Sequence, residues 1–308
     1  MIVDCHCHAG KGDGFRGPWD TEARIDRHLV RARAAGIDRT VVFPVFNSDY
    51  AAANARLARI VAANPRELIG FAAVNPARDA GRIGTMLRRA VEDYGFRGVK
   101  IHGLDSFPNR EVCEVARRYR LPILVDVVRR VAAVEMLAEQ YPDLNFIVPH
   151  LGGFSDDWTT HLQVIDQLCR FPNVYADTSG VRYWEILRRA VRRAGPRKLL
   201  FGSDGPFLHP ALELYKIKLL GLPPVEEGFI CGGNIMRLLR RNGQQTVNDP
   251  GLALHRAAVA LPSRYASPEC RRADNHHVDR HRRLRFVRGG PARRQSPEYQ
   301  LPGRTEPG

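Results

Sequence analysis

Eight short apolar runs alternate along this chain with helical patterns, and no other feature restricts its architecture as strongly. The runs occupy residues 2–8, 39–45, 68–75, 98–102, 122–127, 146–150, 174–178 and 199–204. Between and after them, helix-period patterns occupy residues 21–35, 50–63, 79–94, 109–119, a stretch up to 141, then 156–171, 183–194 and 212–220, with a closing helix at 234–241. Continuous apolar strands between helices are the mark of a parallel sheet covered on its outer face. Eight such units predict an α/β fold, a (β/α)8 TIM barrel, which takes roughly 250 residues and leaves a remainder of this 308-residue chain. A doubly wound open sheet would need a phosphate-binding glycine fingerprint after the first strand. The segment Gly10-Lys-Gly-Asp-Gly14 lacks that spacing. The expected division is therefore a barrel at 1–242 and an Arg/Pro/Gly-rich tail at 243–308.

In such a barrel the chemistry gathers at the C-terminal ends of the strands. Those ends carry His6 and His8, Asn75, Lys100 and His102, Asp126, His150, Thr178 and Asp204. Core packing does not call for that set. A strand alternates its faces, so His6 and His8 point the same way, about 7 Å apart, as half of a metal site. The same alternation sends Cys5 and Cys7 to the opposite face with Val3, packing outward against helices. Lys100 and His102 share a face by the same rule. His28, His161, Asp38 and Glu92 fall on helical patterns and read as surface.

Three of these segments resemble a known family. Asp4-Cys-His-Cys-His8, Pro149-His-Leu-Gly-Gly153 and Phe201-Gly-Ser-Asp-Gly205 look like the strand-one, strand-six and strand-eight signatures of the amidohydrolase superfamily. The branch they resemble holds amidohydrolase-related metal-dependent hydrolases together with aminocarboxymuconate-semialdehyde and γ-resorcylate decarboxylases. Ile230-Cys-Gly-Gly-Asn-Ile-Met-Arg-Leu238 resembles that family's closing helix. The resemblance implies one divalent metal, Zn2+ or alternatively Mn2+, held by His6, His8 and Asp204. It also implies His150 as the acid/base, with Asp204 sharing the proton work.

The family places a histidine at the end of strand five, where this chain has Pro122-Ile-Leu-Val-Asp126. Asp126 is then a fourth candidate ligand; the alternative is a structural loop cap. As a ligand it would make the site less positive and admit harder ions. Lys100 is expected to meet a substrate carboxylate or to offset Asp126. A carbamylated lysine is an alternative that some superfamily members use. His102, Trp19, Arg182 and Phe207, with Trp184 and His209, are expected to line the pocket. Two reactions share this set of residues. One is hydrolysis of a lactone, ester or amide by activated water; the other is non-oxidative decarboxylation of a small aromatic or unsaturated acid. A barrel that has lost activity is the reading from a different class.

The net charge of +14 raises the question of nucleic acid. From Gly243 onward there are twelve arginines, no lysine and six acidic residues, a surplus of +6 that leaves +8 for the rest. Those remaining charges sit in pairs such as Arg88-Arg89 and Arg192-Arg193, without the interleaved aromatics of a single-strand platform. A small-molecule substrate is the expected partner, with no specific nucleic acid and no membrane; a homo-oligomer is compatible with the sequence. The tail's low hydrophobicity and charge predict disorder. Six scattered cysteines suit reduced thiols better than a disulfide framework. With no apolar run of transmembrane length and a first strand at residue 2, the expectation is a cytoplasmic protein.

Overall fold

A computed structural model describes residues 1–16, 22–154 and 157–240. It contains the expected barrel. Strand β1 (Val3–Ala9) pairs in parallel with β2 (Arg39–Pro44), and β2 with β3 (Leu68–Gly70). The series continues, always parallel, through β4 (Ala72–Ala73), β5 (Val99–His102), β6 (Ile123–Asp126), β7 (Phe146–Val148), β8 (Val174–Asp177) and β9 (Leu199–Leu200). The third predicted strand is thus split at Phe71. Its first half pairs with β2 and its second with β5, and the Phe71 amide still donates to the Val42 carbonyl at 2.9 Å. The seam closes where Cys5 N donates to Phe201 O at 2.9 Å and Asp204 N to His6 O at 2.8 Å.

The helices α1 (Ile25–Ala34), α2 (Tyr50–Ala63), α3 (Ile83–Glu92), α4 (Arg110–Tyr119), α5 (Ala132–Gln140), α6 (Trp158–Arg170), α7 (Trp184–Ala194) and α8 (Pro210–Lys218) cover the outside. Three begin where a side chain accepts from otherwise unpaired first-turn amides: Asp49 for α2, Asn109 for α4 and Asp157 for α6. α3 starts four residues later than its pattern suggested. Asp79 spends its carboxylate on the Asn75 amide and the Arg82 guanidinium, holding a turn instead. The chain then runs through α9 (Pro224–Gly228) and a π turn into α10 (Asn234–Leu238).

Two apolar layers result. Inside the barrel, Val3, Cys5, Val41, Phe43, Leu124, Ile147 and Leu200 meet Ile235, Leu238 and Leu239 from α10 and the residue after it. Between strands and helices lies the larger cluster, to which Cys7, Val42, Val125, Val148 and Phe201 contribute. Full burial of one such phenylalanine or leucine is worth about 1.5–3 kcal/mol.

The placement of Cys5 corrects the alternation argument. The β1–β2 register slips by one residue between Asp4 and Cys7, a β-bulge. Val3 and Cys5 face the interior before the slip; His6 and His8 face the pocket after it, and only Cys7 packs outward. Asp4 holds the bulge. Its buried carboxylate accepts from the amides of His6 (3.1 Å) and Ser203 (2.9 Å) and from the Ser203 hydroxyl. Burial pushes this carboxyl up to about 7 against those hydrogen bonds. His28 and His161 are a second correction: both are fully buried, His28 with Nε2 3.6 Å from Asp4 Oδ2 and His161 beside the Leu151 carbonyl. Among the described residues, no helix is long and apolar enough to cross a membrane. The predicted disordered tail at 243–308 lies outside the described residues.

Candidate metal centre

The C-terminal ends of the strands open into a cavity of about 300 Å³. His6, His8, Lys100, His102, Asp126, His150, Asp204 and Phe207 all line it, together with Phe46 and Phe154. Eight residues named from strand ends and loops therefore converge. Trp19 lies outside the described residues. Arg182 is exposed and is not among the lining residues. Trp184 points its indole N–H at the Lys216 carbonyl on the outer helices, and His209 is exposed ahead of α8.

Asp204 Oδ1 lies 3.4 Å from His6 Nε2 and 3.2 Å from His8 Nε2. Metal–ligand bonds of about 2.0–2.1 Å in tetrahedral geometry put neighbouring donor atoms about 3.3 Å apart. The spacing suits one ion shared by the three residues. A second observation agrees: His6 Nε2 is buried and has no hydrogen-bond partner. Such an orphan is costly unless something occupies its lone pair. The backbone is strained to place these groups. Asp204 (φ 54°) and His150 (φ 56°) both adopt the left-handed conformation that non-glycine residues avoid.

Asp177 and Ser179, which the sequence reading passed over in favour of Thr178, set the imidazole tautomers. His6 Nδ1 lies 2.8 Å from Asp177 Oδ2 and donates to it, which leaves Nε2 as a lone pair. Ser179 gives its hydroxyl proton to Asp177 Oδ1 at 2.6 Å. The Ser179 hydroxyl oxygen and the Ser179 carbonyl can then only accept from His150 Nδ1, at 2.9 and 2.8 Å. His150 therefore carries a proton on Nδ1, and its neutral tautomer turns the Nε2 lone pair into the cavity. Asp177 further accepts from the His150 amide at 3.0 Å, holding the strained turn. The available signal was that Asp177, not Thr178, shares the inward face with Tyr175.

Asp126 sits across the cavity, outside the close group that His6, His8 and Asp204 form. Its Oδ2 lies 3.2 Å from His102 Nε2 and 3.9 Å from His150 Nε2, and its Oδ1 accepts from the Val128 amide. The Leu104 amide donates to His102 Nδ1 at 3.1 Å, so His102 carries its proton on Nε2, toward Asp126. Lys100 is only 4% exposed, with its ammonium 4.6 Å from the centre of the Phe43 ring.

Burial lowers His6 to about 4 and His102 to about 3, and lowers His8. Burial also lowers Lys100, against the pull of Asp126, Asp204 and Asp177. For Asp126 and Asp204 burial acts upward. His102 and His150, with Lys100, overcome it at Asp126; the His8 hydrogen bond and the imidazoles overcome it at Asp204. Asp177 is held down by His6 in the same way. With the imidazoles neutral, three carboxylates and one ammonium leave a charge of −2 around the cavity. A buried −2 is unfavourable on its own, and a dication cancels it.

Comparison with known proteins follows the same line. The amidohydrolase family profile matches residues 3–241. No curated protein matches the chain. Among solved structures, the chain is similar to 5-carboxyvanillate decarboxylase from Sphingomonas paucimobilis, with a TM-score of 0.60 and 16% identity over 78% of this chain and 99% of that one. A dihydroxybenzoic acid decarboxylase from Polaromonas sp. JS666, with bound manganese and 2-nitroresorcinol, gives a TM-score of 0.58 and 16% identity over 80% of this chain and all of that one. A probable 2-pyrone-4,6-dicarboxylic acid hydrolase from Acinetobacter baumannii gives 0.62 and 14% over 77% and 98%. At such identities the structural likeness speaks for the barrel alone. The profile match spans most of the chain, and the chain belongs to the amidohydrolase family of metal-dependent enzymes.

Proposed function

We propose that the chain is a metal-dependent hydrolase that opens a C–O or C–N bond of a small lactone, ester or amide. The observation that carries this reading is the orientation of His150, whose Nδ1 is held by Ser179 so that Nε2 faces the cavity, where its neutral tautomer offers a lone pair as base. His6, His8 and Asp204 would hold one divalent ion, Zn2+ before Mn2+ given two imidazole donors, with Asp126 the candidate fourth ligand across the cavity. When bound, such an ion supplies Lewis acidity and acidifies water.

The chain's own groups do the rest. His150 Nε2 takes a proton from the attacking water, and Asp126, 3.9 Å away, steadies the resulting imidazolium. Asp204 takes the second proton of the attacking water through the carboxylate oxygen its imidazoles do not engage, and passes it to the leaving group. Lys100 holds a negatively charged substrate oxygen, and His102, tied to Asp126, lines the same wall. Phe46, Phe154 and Phe207 keep bulk water out and set the small size of the substrate.

A second reading, non-oxidative decarboxylation of a small aromatic or unsaturated acid, is favoured by one specific feature. Lys100 is a buried cation facing a cavity walled by three phenyl rings, a fit for a carboxylate on a flat ring. Two of the structural relatives described above are decarboxylases. Metal-loaded protein assayed against lactones, esters, amides and hydroxy-aromatic acids, with acid release and carbon dioxide read in parallel, tests both. Acid release without carbon dioxide is the expected result. Carbon dioxide from an aromatic acid would replace the first reading with the second. Neither turnover nor bound metal would mark an inactive barrel.

A further inference from the structure

The opposite side of the barrel carries a cavity that this chemistry does not use. About 620 Å³ in volume, it lies between α2, β3 and the segment joining α3 to β5, toward the N-terminal ends of the strands. Four arginines line it: Arg39 opens β2, Arg59 is on α2, Arg89 is near the end of α3, and Arg97 precedes β5.

Their charges are almost unanswered. Asp93 is the one acidic residue lining the cavity, and it is 3.6 Å from Arg89. The nearby carboxylate of Glu67 is taken by Arg33, through two hydrogen bonds of 2.7 Å. Among the described residues, none of Arg39, Arg59 and Arg97 forms an ion pair with a carboxylate. Arg39 is half-buried, and its Nε is closed off from solvent with no acceptor. Arg97 is also half-buried, and its backbone amide is fixed to the Gly70 carbonyl at 2.8 Å. Burial and the facing Arg97 charge both disfavour the Arg39 cation. A pair of half-buried guanidiniums kept together without a counter-charge is a cost that an anion removes.

We propose that this cavity is a second binding site, for an organic phosphate of about mononucleotide size. Guanidinium is the side chain best matched to phosphate, because its parallel N–H groups grip two oxygens at once. The cavity is much larger than one phosphate and falls within the range of small-molecule sites. Its remaining wall is apolar, with Ala55, Ala58 and Ala62 of α2 facing the half-buried ring of Tyr94. The phosphoryl group sits on Arg39 and Arg97, the organic part lies between α2 and Tyr94, and Arg59 and Arg89 close the rim. The site is separate from the metal centre, so it stands or falls independently of the proposed hydrolysis.

Calorimetric titration of the metal-loaded full chain with AMP, ADP, adenosine and inorganic phosphate tests it. AMP and ADP are expected to bind, adenosine not to, and the affinity to fall with added salt. The double variant Arg39→Gln/Arg97→Gln should bind AMP at least tenfold more weakly while keeping its metal content. Undiminished AMP binding in that variant, or no binding by the wild-type chain, would overturn the proposal. Inorganic phosphate binding as tightly as AMP would overturn its organic part. Should the double variant misfold, Arg59→Gln/Arg89→Gln, at two exposed positions, decides by the same tenfold criterion.

Discussion

Asp177 Oδ2 stands 2.8 Å from His6 Nδ1 and ties the end of β8 to the first strand, on the side of the imidazole away from Asp204. The same carboxylate reaches His150 through its backbone amide and through Ser179. One buried side chain thus sets the tautomer of a metal-side histidine and that of the proposed base.

Asp177→Ala should therefore weaken metal binding by about 10–100-fold, the usual effect of losing a group that orients a ligand. Competition titration against a chromophoric chelator measures it. Unchanged affinity would show that His6 needs no orienter.

His150→Gln removes the base without touching the group formed by His6, His8 and Asp204. Metal content by elemental analysis should stay near wild type while kcat falls about 10²–10⁴-fold. Loss of metal in this variant would instead make His150 a ligand.

Asp126→Ala separates the two roles the sequence left open for this residue. A fall in metal content marks Asp126 as a ligand. Full occupancy with a reduced kcat marks it as the partner of His102 and His150. Because Asp126 lies beside His102 and His150 and outside the group formed by His6, His8 and Asp204, full occupancy with a reduced kcat is the expected result.

Acid should destabilise the metal-free fold. His6 and His28, lowered to about 4, and His102, lowered to about 3, stay neutral in the native state while the unfolded chain takes up protons below pH 6.5. Their contribution is complete above pH 6.5 and is lost as the pH falls toward 4. Asp4, raised to about 7, acts the other way: it favours the fold at low pH and loses that contribution as the pH rises through 7. Three groups against one leave a net loss on the order of 2–4 kcal/mol between pH 7 and pH 5. Urea unfolding in a chelator at the two pH values reads it, and equal stabilities would contradict the assignment.

Gly202→Ala probes how tightly the site is built. A Cβ there would lie 3.0 Å from His6 Cβ and 3.2 Å from Asp177 Cγ. The variant should lose about 1–3 kcal/mol in thermal unfolding and bind metal more weakly.

The barrel and the convergence of His6, His8, Lys100, His102, Asp126, His150 and Asp204 were legible because both follow from local periodicity. A strand end is visible in sequence, and the fold brings strand ends together. Cys5 was not legible, because a single inserted residue in β1 reverses the facing of everything before it. Asp177 was hidden by proximity, since one residue decides whether it or Thr178 points inward. His28 and His161 read as surface because their helical positions say nothing of the polar groups, Asp4 and the Leu151 carbonyl, that accompany them inside. Arg182 is exposed and does not line the cavity, which no pattern of residue types reveals.

The most direct measurement is an anomalous-scattering map from crystals of the metal-loaded protein, collected at the zinc and manganese edges. The account predicts one peak, about 2.0–2.2 Å from His6 Nε2, from His8 Nε2 and from an oxygen of Asp204. An empty position between those three side chains in metal-saturated crystals would contradict it.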